Sequence, residues 1–398
     1  MDFRSVNLLN VRINALSGNL LPMTPDDTQF SITWKIYSCF VWVIELIRAG
    51  GLIPGIMYVS RSKALEDATV AIVFTAEVIF MVMRIQSRSA LVRRLIQKLN
   101  DILHTEDETM KYVMTTTMKP MAMPLNFYWS TGLVGVIVWG SMPLLLLFKK
   151  SSFYYEDYRM PVAFSKQPFS TGVFLLGSLL ISIASMYMFS KKVGVDVYMI
   201  HLVLMVTTQY RYIAVKLQKL FQETNSKSES DFQEECHPRR TDSWAEKEIK
   251  AICQHHNTVV HLSFMLKKLL ALNFSIIYVN SVLRFCFIGI MLSTVFSSVF
   301  IEGFSITMFA FAEMLQFYIL CSSVQQLLDA STKMTDMAFH ENWYQFGAPV
   351  KRTFMLMILG NKLECKLAAF NKFNLSLPSF MAVMNQAYTI ALLFLKIK

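Results

Sequence analysis

Charged residues are scarce in this chain. Lys, Arg, Asp and Glu make up 17% of its 398 residues, hydrophobic residues 54%, and the mean hydropathy is +0.40. A soluble domain usually carries about 25% charge, so an ordinary soluble fold is excluded. Cys-x-x-Cys pairs are absent, which argues against a thiolate metal centre. Of six cysteines, Cys39, Cys286 and Cys321 fall in apolar runs, and Cys236, Cys253 and Cys365 fall in segments read as cytosolic. No disulfide framework is expected. Only seven histidines occur. His255, His256 and His261 lack the repeated i,i+3 or i,i+4 spacing and interleaved carboxylates of a di-metal membrane enzyme, and are read as solvated or interfacial. Gly-x-Ser-x-Gly, His-Glu-x-x-His and P-loop patterns are missing, so neither catalysis nor a cofactor is expected. The N-terminus lacks an apolar core followed by a small-residue cleavage site, and no cleaved signal is expected. No internal repeat with paired broken helices points to a secondary transporter. The net charge of +10 comes from Lys and Arg beside apolar runs rather than on one aromatic-interleaved surface, so no nucleic-acid partner is expected.

Long apolar runs are abundant. About 20 helical residues at 1.5 Å rise cover a ~30 Å hydrocarbon core. By that measure seven stretches read as crossings: 31–58, 66–86, 122–148, 169 to about 220, 246–298, 304–332 and 373–398. The fold class is therefore an all-α polytopic membrane protein. Residues 1–30 read as a polar cytosolic lead-in, 31–348 as six crossings with cytosolic extensions, 349–372 as a cytosolic anchor helix, and 373–398 as a separate last crossing. Residues 87–119 read as an extension of the second crossing. Lys191, Lys192, Asp196, His201, Thr207, Thr208 and Gln209 give the fourth crossing a polar half, read as leaving the lipid. Residues 222–248 have a disordered composition, and 299–303 read as a short link. Basic residues crowd the segments after crossings two, four and six, which predicts a cytosolic N-terminus and an extracellular C-terminus. Lys149, Lys150 and Lys166 run against that bias.

Ionisable residues inside apolar runs mark functional sites or structural pairs. Glu45 and Arg48 share a helix face at i,i+3. Glu77, Arg284 and Glu313 are the deeper ones, and an Arg284–Glu313 pair is the structural alternative. Phe74, Trp139, Met142, Phe174, Phe285, Met308 and Phe311 enrich the outer halves of crossings two to six. Such residues build either a pocket for a small apolar ligand or ordinary bundle packing. The last crossing carries Ser376, Ser379, Asn385, Gln386, Tyr388 and Thr389, polar groups that favour a protein seam or a water-filled pore over bare lipid.

Three stretches in order resemble the insect odorant receptor family, in particular its ligand-tuned subunits. They are CSSVQQLLDASTKMTDMAFHENWY at 321–344, the basic apolar helix KRTFMLMILGNKLECKLAAF at 351–370, and Ser379-Phe380, Val383, Tyr388 and Leu392–Leu393 near the end. The resemblance implies an odorant-gated, non-selective cation channel in which this chain and the shared coreceptor form a heterotetramer around a central pore. It implies a plasma-membrane protein of olfactory neuron dendrites, a small volatile ligand in an intramembrane pocket, and membrane lipid as the remaining partner. The last helix would line the pore through Val383, Tyr388, Ala391 and Phe394. Aligning YTIALLFLK by Tyr388 and Lys396 puts Ala391 at the coreceptor's gate valine and Phe394 at its glutamine. Those departures, with the short 222–248 segment, imply a tuning subunit rather than the coreceptor. A gustatory receptor is the nearest alternative, but its Thr-Tyr then Gln-Phe closing pattern is not met, since Gln386 precedes Tyr388. A G-protein-coupled receptor would place both termini the other way round.

Overall fold

The apolar runs fold into helices much longer than a bilayer is thick. The structure, a computed structural model, describes all residues except 1, 7, 26–29, 61–63, 65–68, 105–106, 159, 163–165, 231–237, 296–299, 341–346, 363–367, 370–372 and 398. It describes backbone alone at 224–230, 238–243, 292–295, 300–302, 338–340, 361–362, 368–369, 373–374 and 394–397. Two short helices, α1 (Phe3–Val6) and α2 (Leu8–Leu16), precede α3 (Ile32–Tyr58), α4 (Thr69–Ser87), α5 (Ser89–Leu103) and α6 (Glu108–Ser141). A 3-10 turn at Met142–Phe148 continues α6. Then come α7 (Thr171–Ser230), α8 (Pro238–Val295), α9 (Phe300–His340), α10 (Ala348–Lys362) and α11 (Leu377–Ile397). Between α10 and α11, β1 (Ala368–Ala369) and β2 (Phe373–Asn374) pair antiparallel, with Ala368 opposite Asn374. Helices α3, α4, α6, α7, α8 and α9 are each long and apolar enough to cross a membrane, and α11 is a shorter apolar seventh.

The 60 residues of α7 and 58 of α8 extend ~90 Å at 1.5 Å per residue, about three times the hydrocarbon core. Both therefore run far out of the lipid. The segment 222–248, expected to be disordered, is helical through Ser230 and again from Pro238, while 231–237 lie outside the described residues. The expected link at 299–303 is mostly taken up by the first turn of α9. Trp343 and Tyr344 lie outside the described residues. Helix α3 turns Ile36, Phe40, Leu46, Ile53 and Met57 outward, an apolar face suited to lipid.

Helix α7 is the centre of the bundle. From Val193 to Gln209 its side chains are buried on every face, the signature of a helix with neighbours all round. The expected polar half of the fourth crossing is thus packed inside the bundle. Lys191, Lys192, Asp196, Thr207, Thr208 and Gln209 are all fully buried, and protein groups rather than solvent surround them. The N-terminal segment likewise packs on α7 rather than trailing in water. Phe3, Ile13 and Leu21 are buried, the Asn14 and Asn19 amides donate to the carbonyls of Gly194 and Lys191 at 3.0 Å each, and the Tyr198 hydroxyl donates to the Pro22 carbonyl at 2.6 Å.

The expected continuation of the second crossing is broken at Arg88, whose φ of −103° and ψ of 19° leave the helix. There the pattern changes from apolar all round in α4 to a one-sided stripe in α5, with Val92, Leu95, Ile96, Leu99 and Leu103 buried. Asp107 then starts α6 earlier than hydropathy alone indicates. Its carboxylate accepts from the Thr109 amide at 2.8 Å, an N-cap, and from the Tyr212 hydroxyl at 2.7 Å, and Lys216 Nζ lies 2.9 Å away. Burial pushes this carboxyl up, but Lys216, Tyr212 and the Thr109 amide outweigh it and hold it below the usual range. A depressed folded pKa stabilises above the unfolded value of about 4 and is lost as pH falls through the folded one. Asp107→Asn keeps a capping side chain and loses the ion pair. It should lower thermal stability at pH 7 by about 1 kcal/mol, with the gap from the unsubstituted protein closing as the melting medium is taken below about pH 4.

Candidate functional site

Five helices meet around a buried set of charges. Lys192 Nζ on α7 lies 3.0 Å from Glu77 Oε1 on α4 and 2.7 Å from Asp196 Oδ1 one turn along its own helix. Arg284 of α8 reaches Glu313 of α9 at 2.9 Å and Glu77 at 3.4 Å. Tyr128 of α6 donates to Asp196 at 3.2 Å, and the Asn280 amide donates to Glu77 at 3.1 Å. The three deep ionisable residues singled out from sequence thus join one network, and the expected Arg284–Glu313 pair is part of it. Sequence reading missed Lys192 and Asp196, although i,i+4 is ion-pair spacing. The Glu45–Arg48 pair also forms, at 3.0 Å, with the guanidinium donating to Thr75 Oγ1 at 2.9 Å.

Beside this network, on the side towards the 149–170 connection, lies a cavity of about 130 Å³ between α4, α6, α7 and α9. Phe74, Trp139, Phe189 and Phe309 supply aromatic walls. The Ser185 and Ser305 hydroxyls at its edge are buried without a hydrogen-bond partner. Met160 closes one side from the connection, accepting from Arg48 Nη1 at 3.3 Å. The connection is fixed by an aromatic stack, Phe153 on Phe174 at 4.1 Å and Tyr158 on Phe174 at 5.0 Å. It also approaches α3 at Gly55, where a Cβ would fall 1.9 Å from the Pro161 carbonyl oxygen, so only glycine fits. Arg284 stands 5.9 Å from the Phe74 ring, which places the cavity wall against the charge network.

Of the seven pocket residues taken from sequence, Phe74 and Trp139 line the cavity. Phe174 belongs to the aromatic stack, Met142 is buried where the 3-10 turn begins, and Phe285 packs on Phe317 at 6.2 Å. Met308 is half-buried away from the cavity, and Phe311 is exposed, edge-on to Phe127 at 6.1 Å. On the terminal helix α11, Val383 and Ala387 face the bundle. Ala391 packs on α8 so closely that a Cβ on Gly289 would lie 2.8 Å from its own. Asn385, Gln386, Tyr388 and Thr389 face away from the rest of the chain, with Tyr388 66% exposed. The Phe394 side chain lies outside the described residues. Among the described residues no three His, Cys, Asp or Glu side chains group to hold a metal, and Cys39, Cys253, Cys286 and Cys321 are free thiols.

Known proteins share this fold. The 7tm Odorant receptor family model matches residues 62–388. Two Drosophila melanogaster proteins are similar over part of their length. Putative odorant receptor 85d is 20% identical over 140 residues, 35% of this chain and 34% of the relative, and odorant receptor 67a is 22% identical over 143 residues, 36% and 34%. The aligned part of this chain therefore spans about a third of each. The fold matches the insect olfactory receptor OR5 of Machilis hrabei with a TM-score of 0.80 at 12% identity, over 99% of this chain and 98% of that one. The same receptor in complex with eugenol matches at a TM-score of 0.74. These are receptors, not enzymes, and the breadth of the family match decides the assignment: the chain belongs to the 7tm odorant receptor family.

Proposed function

We propose that this chain is a ligand-tuned odorant receptor subunit of a non-selective cation channel. It works in the plasma membrane of olfactory neuron dendrites, in a heterotetramer with the shared coreceptor. The N-terminus is cytosolic and the C-terminus extracellular, as the basic segments after crossings two, four and six favour. Odorant occupies the cavity between α4, α6, α7 and α9, and α11 contributes its Asn385, Gln386, Tyr388 and Thr389 face to the pore. Ligand opens the channel only through a higher affinity for the open arrangement.

The observation that carries this reading is the aromatic cavity with two unpartnered hydroxyls, in a chain of this family. A volume of about 130 Å³ is close to the ~150 Å³ that holds a benzene ring in an engineered cavity. The favoured ligands are single-ring or roughly six-carbon volatiles bearing one oxygen that accepts from Ser185 or Ser305. Expressing the chain with and without the coreceptor, and recording currents against a broad volatile panel, tests this. Currents should require the coreceptor and favour small oxygenated compounds. Ser305→Ala should raise the half-maximal concentration for such ligands roughly 3- to 10-fold and leave hydrocarbons of equal size unchanged. Equal losses for both ligand types would remove the hydrogen bond from the account.

A further inference from the structure

At the opposite end of α4 from the odorant cavity, the surface has a different chemistry. No acidic residue lies between Glu77 and Asp101, a stretch that holds Arg84, Arg88, Arg93, Arg94 and Lys98. Helix α5 buries its apolar stripe on the bundle and leaves Arg94 and Gln97 exposed. Helix α8 runs antiparallel to the α4–α5 segment, since Glu77 meets Asn280 while the later Arg94 and Lys98 lie beside the earlier His261 and Lys268. Between the two helices is an open groove of about 510 Å³ lined by Arg94, Gln97, Lys98, His261, Phe264 and Lys268. Asp101 and Leu91 also border it. Among the described residues Arg94, Lys98 and Lys268 make no ion pair, and Asp101 pairs with none of them. Phe264 stands 65% exposed beside these cations.

Depth fixes the occupant. The 19 residues of α4 span about 28 Å, the thickness of the hydrocarbon core, so the chain reaches the headgroup layer as α5 begins. Unpaired cations in and just beyond that layer match the phosphates of an anionic phospholipid. We infer that the groove between α5 and α8 is a binding site for the headgroup of a phosphate-bearing anionic phospholipid, held by Arg94, Lys98 and Lys268. The site is separate from the odorant cavity and does not depend on the channel reading.

The test uses the full-length chain in lipid nanodiscs of phosphatidylcholine, with and without a small fraction of phosphatidylinositol bisphosphate, reading retained lipid by native mass spectrometry. Retention should favour the phosphoinositide and weaken with salt. Arg94→Gln/Lys98→Gln/Lys268→Gln should reduce that preference roughly 10- to 100-fold, whereas Lys149→Gln/Lys150→Gln, at the other end of the bundle, should leave it intact. Thermal midpoints in pure phosphatidylcholine check folding. If the triple variant melts early, single Arg94→Gln and Lys268→Gln proteins decide, each expected to lose part of the preference. Unchanged preference in variants that fold would overturn the site. So would equal occupancy by soluble inositol trisphosphate, which would make it a free-phosphate site and not a lipid one.

Discussion

Arg284→Met is expected to be among the most damaging single substitutions in the chain, although Arg284 is not itself a lining residue of the cavity. The buried network holds two cations, Lys192 and Arg284, and three carboxylates, Glu77, Asp196 and Glu313. Removing Arg284 leaves Lys192 alone against three carboxylates in a region buried inside the bundle. Deleting one partner of a buried ion pair typically costs about 3–5 kcal/mol, because the stranded charge keeps its full desolvation penalty. Set against a total stability of about 5–15 kcal/mol, that is enough to strip the protein from the cell surface. Glu313→Gln leaves two cations against two carboxylates, so it should be much milder, and Arg284→Met/Glu313→Gln should recover part of the loss. Fluorescence-detected size exclusion and surface labelling of tagged variants would rank them. A normal Arg284→Met protein, or Glu313→Gln as damaging as Arg284→Met, would show that the network is not a balanced set.

The same network explains which parts of the fold were legible in the sequence. Crossing helices were readable because apolar length is a one-dimensional property, and α3, α4 and α9 begin and end close to where hydropathy puts them. Helix α5 was merged into its predecessor because hydropathy does not register the break at Arg88, and the cap at Asp107 was overlooked beside a long apolar run. Only Phe74 and Trp139 of the seven aromatic and Met residues taken from sequence line the cavity, for a reason of phase. Once Glu313 is granted an inward position, Phe309 and Ser305 at i−4 and i−8 must share it, and both line the cavity. Phe311 lies about 200° around the helix from Glu313 and is exposed. Choosing aromatics by residue type alone ignored that constraint. The burial of Lys192 and Asp196 was not legible because burial of a charge depends on partners from other helices, and Glu77 and Tyr128 lie 115 and 68 residues away in the chain from Lys192 and Asp196.

Cysteines placed along α11 should separate into two classes in working channels. Asn385 and Thr389 lie on the face turned away from the chain, and Val383 and Ala387 on the face packed against the bundle. An amide and hydroxyls on the outward face lose a few kcal/mol in lipid unless water or a protein partner meets them. If that face borders the conduction path, Asn385→Cys and Thr389→Cys should react with a charged, membrane-impermeant thiol reagent applied from outside, and current should change as they do. Val383→Cys and Ala387→Cys should react at least roughly tenfold more slowly, because a buried thiol is shielded and rarely ionised. The unsubstituted chain, which exposes Cys39, sets the baseline. Reaction that quickens with odorant would place α11 in the moving part of the gate, where Ala391 rests against Gly289. Silence at Asn385→Cys and Thr389→Cys, in channels that still open to odorant, would assign the polar face to a contact with a neighbouring subunit and take the pore away from this helix.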